Sequence, residues 1–392
     1  MVIWVSEDSR CLRVPTRVRC PRATAATKVH GPIRRVPSSP ASTVTSQGLE
    51  QRLRDTVDYL CSDECLPRNP GTGGGTAAGK YLGRRLADLD LEPLGEHGYL
   101  QQIPQIDGAN LLAAIPGSGD TFILLGAHYD AAGWDNPGAD DNAAGVAITL
   151  EVARRLVDIE MDRRVVIALF DAEEPPYFLS PEMGSQWFVD HPTLPLDRIE
   201  TMICLDLVGH ALGPAELPDT VRDLVFVLGA EKSTGTGALV DALPVVEGIV
   251  PRRVDIHIVP PLSDYDAFMS AAIPFLFYTM GRSEHYHAPT DTPDLLDYPK
   301  MAAFTDHLVD LVTALVNRSD TPAYLANGFD DHATMASLRS LLDPLIPVFP
   351  EAGMADQLVI ELEAVLLRDG SLDTDARQVI AALVLQLESA FA

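Results

Sequence analysis

Residues 122–130 read FILLGAHYD, a short apolar run that ends in a histidine and an aspartate. Turn-forming residues follow it, and then a helical pattern over 143–157. Other short apolar runs lie on either side, several of them separated by helical patterns. This alternation is typical of an α/β fold with a mostly parallel sheet covered by helices on both faces. The predicted strands are 111–115, 122–128, 165–170, 202–207, 224–228, 254–259 and 274–278.

Further helices are predicted on either side of these strands. One begins near Gln47, where apolar residues recur about one turn apart. Thr76 is predicted to be the N-cap of a second helix over 77–89. A long helix over 301–316 is expected to follow the last strand.

The chain changes character after Asn317. A segment rich in turn-forming residues leads into amphipathic patterns without strands, which predict helices over 334–345, 354–368 and 374–391. We therefore expect three parts in the chain. These are a disordered basic tail at 1–46, an α/β domain at 47–318 and a helical C-terminal extension at 319–392.

The composition of the 392-residue chain is that of a folded protein. Hydrophobic residues make up 46% and charged residues 22%, a balance far from that of disordered chains. The net charge of −27 is unevenly distributed, because residues 1–45 carry +6 and the rest of the chain carries −33. An acidic body repels phosphate backbones, so nucleic acid is not expected as a partner.

The sequence also indicates where the protein is expected to work. A membrane-spanning helix needs a run of about 18 or more apolar residues, and none occurs, so no membrane partner is expected. Near the N-terminus Arg10, Arg13 and Arg17 interrupt every apolar segment that could serve as a secretory signal. We therefore expect a cytoplasmic protein.

Acidic residues and histidines cluster just after the predicted strands. Open parallel sheets bind ligands at the carboxyl ends of their strands, so these positions are candidates for chemistry. Each motif alone is weak, because a single acid at a strand end is more often a helix cap or turn residue. The motifs are GAHYD (126–130), PGADDNAAG (137–145), FDAEE (170–174), LDLVG (205–209) and YHAPTDT (286–292).

Five such motifs in one α/β domain indicate a metal centre. Packing carboxylates together costs free energy unless cations neutralise their charge. Two histidines among the carboxylates suit zinc or a similar transition metal better than magnesium or calcium. The sequence therefore predicts a metal site at the carboxyl edge of the sheet.

The ordered set of motifs resembles metallopeptidase family 28, which includes aminopeptidases, glutamate carboxypeptidases, glutaminyl cyclases and transferrin receptors. The resemblance covers roughly residues 50–318 and extends to segments outside the motifs, namely 70–72, 110–117 and 263–268. It implies a zinc-dependent exopeptidase fold, in which a mixed central sheet is flanked by helices on both faces. It also implies that residues 47–318 are a peptidase domain.

The resemblance implies two zinc ions per chain. Asp141 would bridge the two ions. His128 and Asp206 would complete the site of one ion, and Glu174 and His287 would complete the site of the other.

Two further residues have roles implied by the resemblance. Glu173 would be the general base that takes a proton from water and returns it to the leaving amine. Asp130 would orient His128 by accepting its distal N–H. The peptide bond between Asp141 and Asn142 would be cis.

The implied activity is that of an aminopeptidase, which hydrolyses the N-terminal residue from a peptide or small amide. Glutaminyl cyclisation and carboxypeptidase action are alternatives on the same scaffold, and a catalytically silent binding protein is an alternative of another class. The sequence departs from the family pattern in a longer segment at 175–185, which is expected to reshape one wall of the pocket. Tyr265 also replaces a common histidine, which is expected to change a contact near the site.

Overall fold

The computed structural model describes residues 46–347, 349 and 352–391. The tail predicted for 1–46 lies outside these residues, apart from Ser46, which begins the first helix. In the described part of the chain, nine strands form one sheet. They are β1 (Glu92–Pro93), β2 (Leu100–Ile103), β3 (Gly108–Ile115), β4 (Phe122–His128), β5 (Arg164–Phe170), β6 (Ile199–Leu205), β7 (Leu224–Leu228), β8 (Val250–Val254) and β9 (Phe275–Thr279).

The sheet has a parallel centre and antiparallel flanks. Its strand order is β1-β3-β5-β4-β6-β9-β7-β8, and β2 pairs with β3. Strands β5, β4, β6 and β9 are parallel to one another, whereas β3 and β7 run antiparallel to β5 and β9. The predicted mixed sheet is confirmed. Because the four central strands point the same way, their carboxyl ends meet at one edge of the sheet.

Helices cover both faces of the sheet, as predicted. Along β4, Ile123 and Leu125 pack into the core beneath α1, α2, α3 and α8, while Phe122 and Leu124 pack into the core beneath α4 and α7. Burial on both faces explains why β4 reads as an unbroken apolar run. The helices are α1 (Ser46–Leu60), α2 (Gly73–Asp88), α3 (Ala144–Leu156), α4 (Gly184–Asp190), α5 (Asp219–Arg222), α6 (Thr236–Asp241), α7 (Tyr265–Ser270), α8 (Tyr298–Val316), α9 (Asp331–Leu345), α10 (Ala352–Asp369) and α11 (Thr374–Phe391).

Helix α2 begins four residues earlier than predicted, so the assignment of Thr76 as its N-cap was wrong. The N-cap is Thr72, whose hydroxyl accepts a hydrogen bond from the Gly75 N–H at 3.0 Å. Thr76 lies within the first turn, where its hydroxyl donates to the Thr72 carbonyl. A Cβ on Gly74 would lie 2.3 Å from the Pro67 carbonyl oxygen, so glycine permits this turn to pack against the preceding loop.

The strand predicted at 254–259 was also placed wrongly. Strand β8 ends at Val254, and Ile256–Ile258 forms a single 3₁₀ turn. Asp255 caps this turn, because its carboxylate accepts a hydrogen bond from the His257 N–H at 2.9 Å. The alternating apolar residues Ile256 and Ile258 suggested a strand, but they enter two different cores.

The C-terminal helices pack on the sheet domain through a core of their own. Leu338 and Leu342 of α9, Val359 of α10 and Ile380 of α11 bury their side chains around Ile258. The three helices correspond to those predicted from the sequence. None of the described helices is long and apolar enough to cross a membrane.

A buried acidic group ties α9 to the turn after β8. Asp255 accepts a hydrogen bond from the Asp330 N–H at 2.8 Å, and its own N–H donates to the Thr334 hydroxyl at 2.9 Å. Next to it, Glu231 accepts a hydrogen bond from the Ile256 N–H at 3.0 Å. Burial, followed by the charge of Asp255, raises the pKa of Glu231 to about 7.

The raised pKa of Glu231 predicts a stability that depends on pH. The folded protein holds this proton more tightly than the unfolded chain, so the stabilisation is complete below the usual pKa of 4.5 and is lost as the pH rises to about 7. We expect the wild type to lose up to about 3 kcal/mol of stability over this pH range because Glu231 ionises. Glu231→Gln should not show this loss, because a neutral amide does not ionise. Denaturant unfolding between these pH values measures the effect. A variant whose stability falls as steeply with pH as that of the wild type contradicts it.

Candidate metal centre

Acidic and histidine side chains meet beyond the carboxyl ends of the central strands. Their positions follow from the parallel strand order, which brings residues distant in sequence to one edge of the sheet. Each of the seven site residues named from the sequence lies at this edge. His128 ends β4 and Asp130 follows it, Asp141 lies in the turn before α3, Glu173 and Glu174 follow β5, Asp206 follows β6, and His287 lies in the loop between β9 and α8.

His128, Asp141 and Asp206 form one group of potential metal ligands. The His128 Nε2 atom lies 3.3 Å from the Asp141 Oδ1 atom and 3.5 Å from the Asp206 Oδ1 atom. One ligand atom from each residue lies within 4.8 Å of the others. All three side chains are buried, so the group is shielded from solvent.

Asp141, Glu174 and His287 form a second group. The His287 Nε2 atom lies 3.2 Å from the Asp141 Oδ2 atom and 3.0 Å from the Glu174 Oε2 atom. The His287 side chain is 31% exposed, so this group faces the open side of the site. Asp141 belongs to both groups and presents a different oxygen to each.

The donor atoms of these groups fit a bound cation. Four of them have no hydrogen-bond partner among the described residues, although they are buried: His128 Nε2, Asp141 Oδ2, Glu174 Oε1 and Asp206 Oδ1. Buried polar atoms without partners cost free energy, and converging carboxylates repel one another. Imidazole nitrogens together with carboxylate oxygens are the donors that zinc takes in proteins.

Asp130 contacts residues of both ligand groups. One of its carboxylate oxygens lies 3.3 Å from the His128 Nδ1 atom. The same carboxylate accepts hydrogen bonds from the backbone N–H groups of Glu173 at 3.1 Å and Glu174 at 3.0 Å. Asp130 therefore holds the backbone of the glutamate pair as well as facing the histidine, and only its position near His128 was expected from the sequence.

The turn that carries Asp141 is held by two carboxylates to which the sequence analysis assigned no role. Asp291 accepts hydrogen bonds from the N–H groups of Asp140 at 2.9 Å and Asp141 at 3.1 Å. Asp140 in turn accepts a hydrogen bond from the Gly209 N–H at 2.7 Å. The motifs ADDN and HAPTD contain both residues, but the contacts of Asp140 and Asp291 join residues 69 to 151 positions apart, which no local pattern reveals. The Asp141–Asn142 peptide bond is cis, as the resemblance implied.

The crowding of charges shifts the ionisation of these residues. Burial, and then the Asp141 charge, raises the pKa of Glu174 to about 8. Burial by itself lowers the pKa of His287, but its contacts with Asp141 and Glu174 outweigh burial and raise the pKa to about 10. Burial also raises the pKa of Glu173 well above its usual range. Carboxylates packed this closely repel one another, and a bound cation would relieve the repulsion.

The model of peptidase family M28 matches residues 110–312, which is just over half of the chain and spans all seven site residues. The chain belongs to peptidase family M28. The resemblance inferred from the sequence motifs is thereby confirmed.

Two relatives illustrate how the M28 chain compares with other proteins. It is 30% identical over 239 residues to the uncharacterized protein YfbL of Escherichia coli, a match that covers 54% of this chain and 73% of YfbL. It is 28% identical over 205 residues to the aminopeptidase YwaD of Bacillus subtilis, a match that covers 50% of this chain and 40% of YwaD. The chain thus spans less than half the length of that aminopeptidase.

Solved structures share the fold at lower identity. The LapA aminopeptidase of Legionella pneumophila is 17% identical with a TM-score of 0.58, and the match covers 69% of this chain and 73% of LapA. A glutaminyl cyclase of Bacteroides thetaiotaomicron is 19% identical with a TM-score of 0.53, and the match covers 70% of this chain and 98% of the cyclase. These likenesses establish the exopeptidase-type fold predicted from the sequence.

The pocket of the M28 domain has a wall built by the long loop after Glu174. Pro175 and Phe178 from this loop line the pocket together with Glu173, and Tyr286 lines another side. Two residues of the segment at 175–185 thus form part of one wall of the pocket.

Tyr265 acts on the pocket through a loop. Its side chain is buried and stacks on the rings of Phe275 and Phe277, with centroid distances of 5.2 and 4.8 Å. Its hydroxyl donates to the Pro260 carbonyl and accepts a hydrogen bond from the Leu262 N–H, both at 3.2 Å. Leu262 lines the pocket, so Tyr265 holds a piece of the wall in place.

Proposed function

We propose that this protein is an aminopeptidase that uses two zinc ions to hydrolyse the N-terminal residue from peptides. The observation that carries the proposal is that Asp141 is shared between two groups of ligands. Paired metal ions are used by aminopeptidases and other hydrolases. Membership of peptidase family M28 and the aminopeptidase among its relatives support the proposal.

In this proposal each ion has its own ligands besides the shared aspartate. His128 and Asp206 would hold the buried ion, and Glu174 and His287 would hold the ion on the open side. When bound, zinc polarises a carbonyl oxygen and lowers the pKa of water.

Glu173 is the residue that we assign to proton transfer. Its side chain lines the pocket and is almost fully buried, with a carboxylate oxygen 3.8 Å from the His128 Nε2 atom. One carboxylate oxygen each of Glu173 and Glu174 and a nitrogen of His128 lie within 4.8 Å of one another. Glu174 can therefore bind metal while Glu173 lies close enough to act on a water held there. Glu173 would accept the proton of the attacking water and return it to the leaving amine.

The charge of the pocket supports a substrate with a free α-amine. Besides the residues assigned to the metal ions, two further acids line the pocket, Glu173 and Glu388. Arg282 is the one lysine or arginine among the described lining residues. The two ions would offset the charge of the carboxylates that bind them, which leaves Glu173 and Glu388 as acceptors for the ammonium group of a substrate. These two carboxylates favour aminopeptidase over carboxypeptidase action.

Cleavage of aminoacyl-anilides tests the proposed function. We expect the protein to cleave substrates with a free amine, to lose this activity in the presence of a chelator and to regain it when zinc is restored. N-acetylated analogues should not be cleaved. Failure of a zinc-loaded protein on every free-amine substrate contradicts the proposal.

The alternatives give other outcomes in the same experiments. A glutaminyl peptide that loses ammonia without cleavage of its chain would indicate a glutaminyl cyclase. Release of the C-terminal residue would indicate a carboxypeptidase. Peptide binding without turnover would indicate a binding protein.

Asp130→Asn is predicted to weaken zinc binding or turnover by about 10- to 100-fold. An asparagine has one acceptor oxygen, so the N–H of Glu173 or of Glu174 loses its partner, and the charge next to His128 is removed. Competition with a chelator and steady-state kinetics measure the two effects. Asp135→Asn, an exposed change in the same loop, is the control and should behave like the wild type. Equal zinc affinity and turnover in both variants would count against the role of Asp130.

A further inference from the structure

An apolar chamber lies beside the pocket of the metal centre. Its cavity volume is about 130 Å³. Helices α9 and α11 of the C-terminal extension form one side of it, and the sheet and the turn after β8 form the other. Residues that define it are Leu228, Ile258, Leu338, Leu341, Val384 and Leu385.

The polar side chains in the chamber wall on α9 are already engaged. The Thr334 hydroxyl donates to the Asp330 carbonyl and accepts a hydrogen bond from the Asp255 N–H, both at 2.9 Å. The Ser337 hydroxyl donates to the Arg253 carbonyl at 2.7 Å. An ordered water needs two to four polar partners, which this side of the chamber does not offer. The lining therefore suits an apolar group.

The apolar chamber adjoins the pocket of the metal centre. Five residues line both spaces: Leu262, Thr279, Gly281, Arg282 and Glu388. At this junction the Arg282 Nε atom lies 3.6 Å from a carboxylate oxygen of Glu388. A group that is bound at the metal centre can therefore extend into the chamber.

Helix α11 is connected by contacts to the loop of a predicted metal ligand. Glu388 of α11 pairs with Arg282, and the Arg282 guanidinium lies over the Tyr286 ring at 4.8 Å from its centroid. The Tyr286 ring in turn stacks on His287 with a centroid distance of 3.8 Å. The extension thus touches the site itself and does not merely pack on the back of the domain.

We propose that helices α9 and α11 build a substrate subsite, in which the apolar chamber binds a large apolar side chain of the residue whose amide is cleaved. The inference rests on the proposed aminopeptidase function and adds to it the class of substrate, a residue with a branched aliphatic or aromatic side chain. The family model ends at residue 312, so the part of the chamber formed by α9 and α11 lies outside the matched segment. The C-terminal extension thereby contributes to the specificity of this chain.

Leu385→Asp tests the subsite, because it places a charge in the chamber wall at a side chain that is 46% exposed and so tolerates a polar residue. The wild type should prefer leucyl- and phenylalanyl-anilides over the alanyl-anilide by about 10-fold or more in kcat/KM. Leu385→Asp should reduce this preference by about 10-fold, mainly through a higher KM for the leucyl- and phenylalanyl-anilides.

Two control variants separate the subsite from a general effect on the extension. Leu367→Asp introduces the same charge at an exposed leucine of α10 outside the chamber, and Leu385→Met keeps the apolar volume. Both should retain the wild-type preference, and all three variants should melt like the wild type. An unchanged preference in Leu385→Asp, or the same loss in Leu367→Asp, overturns the inference while the proposed function stands.

The affinity for 1-anilinonaphthalene-8-sulfonate tests the chamber without requiring catalysis. Its rings suit the apolar lining, and its sulfonate suits Arg282 at the junction. Leu385→Asp should weaken binding by about 10-fold, whereas Leu367→Asp should not. Equal binding by both variants overturns the inference. If binding depends on Leu385 but no aminoacyl-anilide is cleaved, the proposed function fails and the apolar site stands.

Discussion

Replacing Asp141 with alanine is expected to remove both zinc ions and to abolish peptide hydrolysis. Its two carboxylate oxygens face the two ligand groups, at 3.3 Å from His128 Nε2 and 3.2 Å from His287 Nε2. Loss of a residue that only supports a ligand already costs about 10- to 100-fold in metal affinity. Loss of the shared ligand should weaken each site by at least about 100-fold. Elemental analysis of the purified variant measures its zinc content.

Two further variants show whether the effect of Asp141 is specific. Asp206→Ala removes a ligand from one group only and should leave roughly one zinc ion per chain. Asp135→Ala changes an exposed aspartate in the same loop and should leave zinc content and activity unchanged. An Asp141→Ala protein that still holds two zinc ions would show that the aspartate does not bridge them.

Glu173→Gln is expected to lower kcat by about 10²- to 10⁴-fold while zinc content remains that of the wild type. Glutamine has nearly the same shape as glutamate but cannot accept a proton from water. The backbone of Glu173 is held by Asp130 in either case, so the local structure should persist. Steady-state kinetics on the best aminoacyl-anilide, together with elemental analysis, measure both quantities.

The matched control for Glu173 lies in the loop that follows it. Glu182→Gln changes a carboxylate that belongs to neither ligand group, and the variant should turn over substrate like the wild type. Near-wild-type turnover in Glu173→Gln with intact zinc would refute the assignment of Glu173 as general base.

The location of the site was predictable from the sequence because parallel strands impose it. Apolar runs such as 122–128 marked where strands end, and the residues after them, including His128 and Asp206, had to meet at one edge of the sheet. The family resemblance then supplied a role for each residue. The geometry agrees with the two groups of ligands and with the shared position of Asp141.

Features that depend on contacts between distant segments were not predictable. The bonds of Asp130 to the glutamate backbone and the bonds of Asp291 to the Asp141 turn leave no periodic or compositional signal. The contact of Glu388 with Arg282 joins the last helix to the site across more than a hundred residues. The sequence of α11 shows an amphipathic pattern, which indicates that one face of the helix packs against the protein but does not indicate where.

Two predictions of secondary structure were wrong, one at the start of α2 and one at the end of β8. Thr76 and Thr72 are both reasonable helix caps by residue type, and the choice was decided by the close approach of Gly74 to the Pro67 carbonyl. At the end of β8, the alternation of Ile256 and Ile258 fits a strand as well as a capped turn. In both cases packing against another segment decided between two structures that the sequence pattern allows.

Zinc titration of the metal-free wild-type protein tests the central claim most directly. We propose that Asp141 joins two groups of ligands and that each group holds one ion. We therefore expect the protein to bind two zinc ions per chain and to regain peptide hydrolysis as they bind. A protein that saturates with one zinc ion, or that binds none while remaining folded, would contradict it.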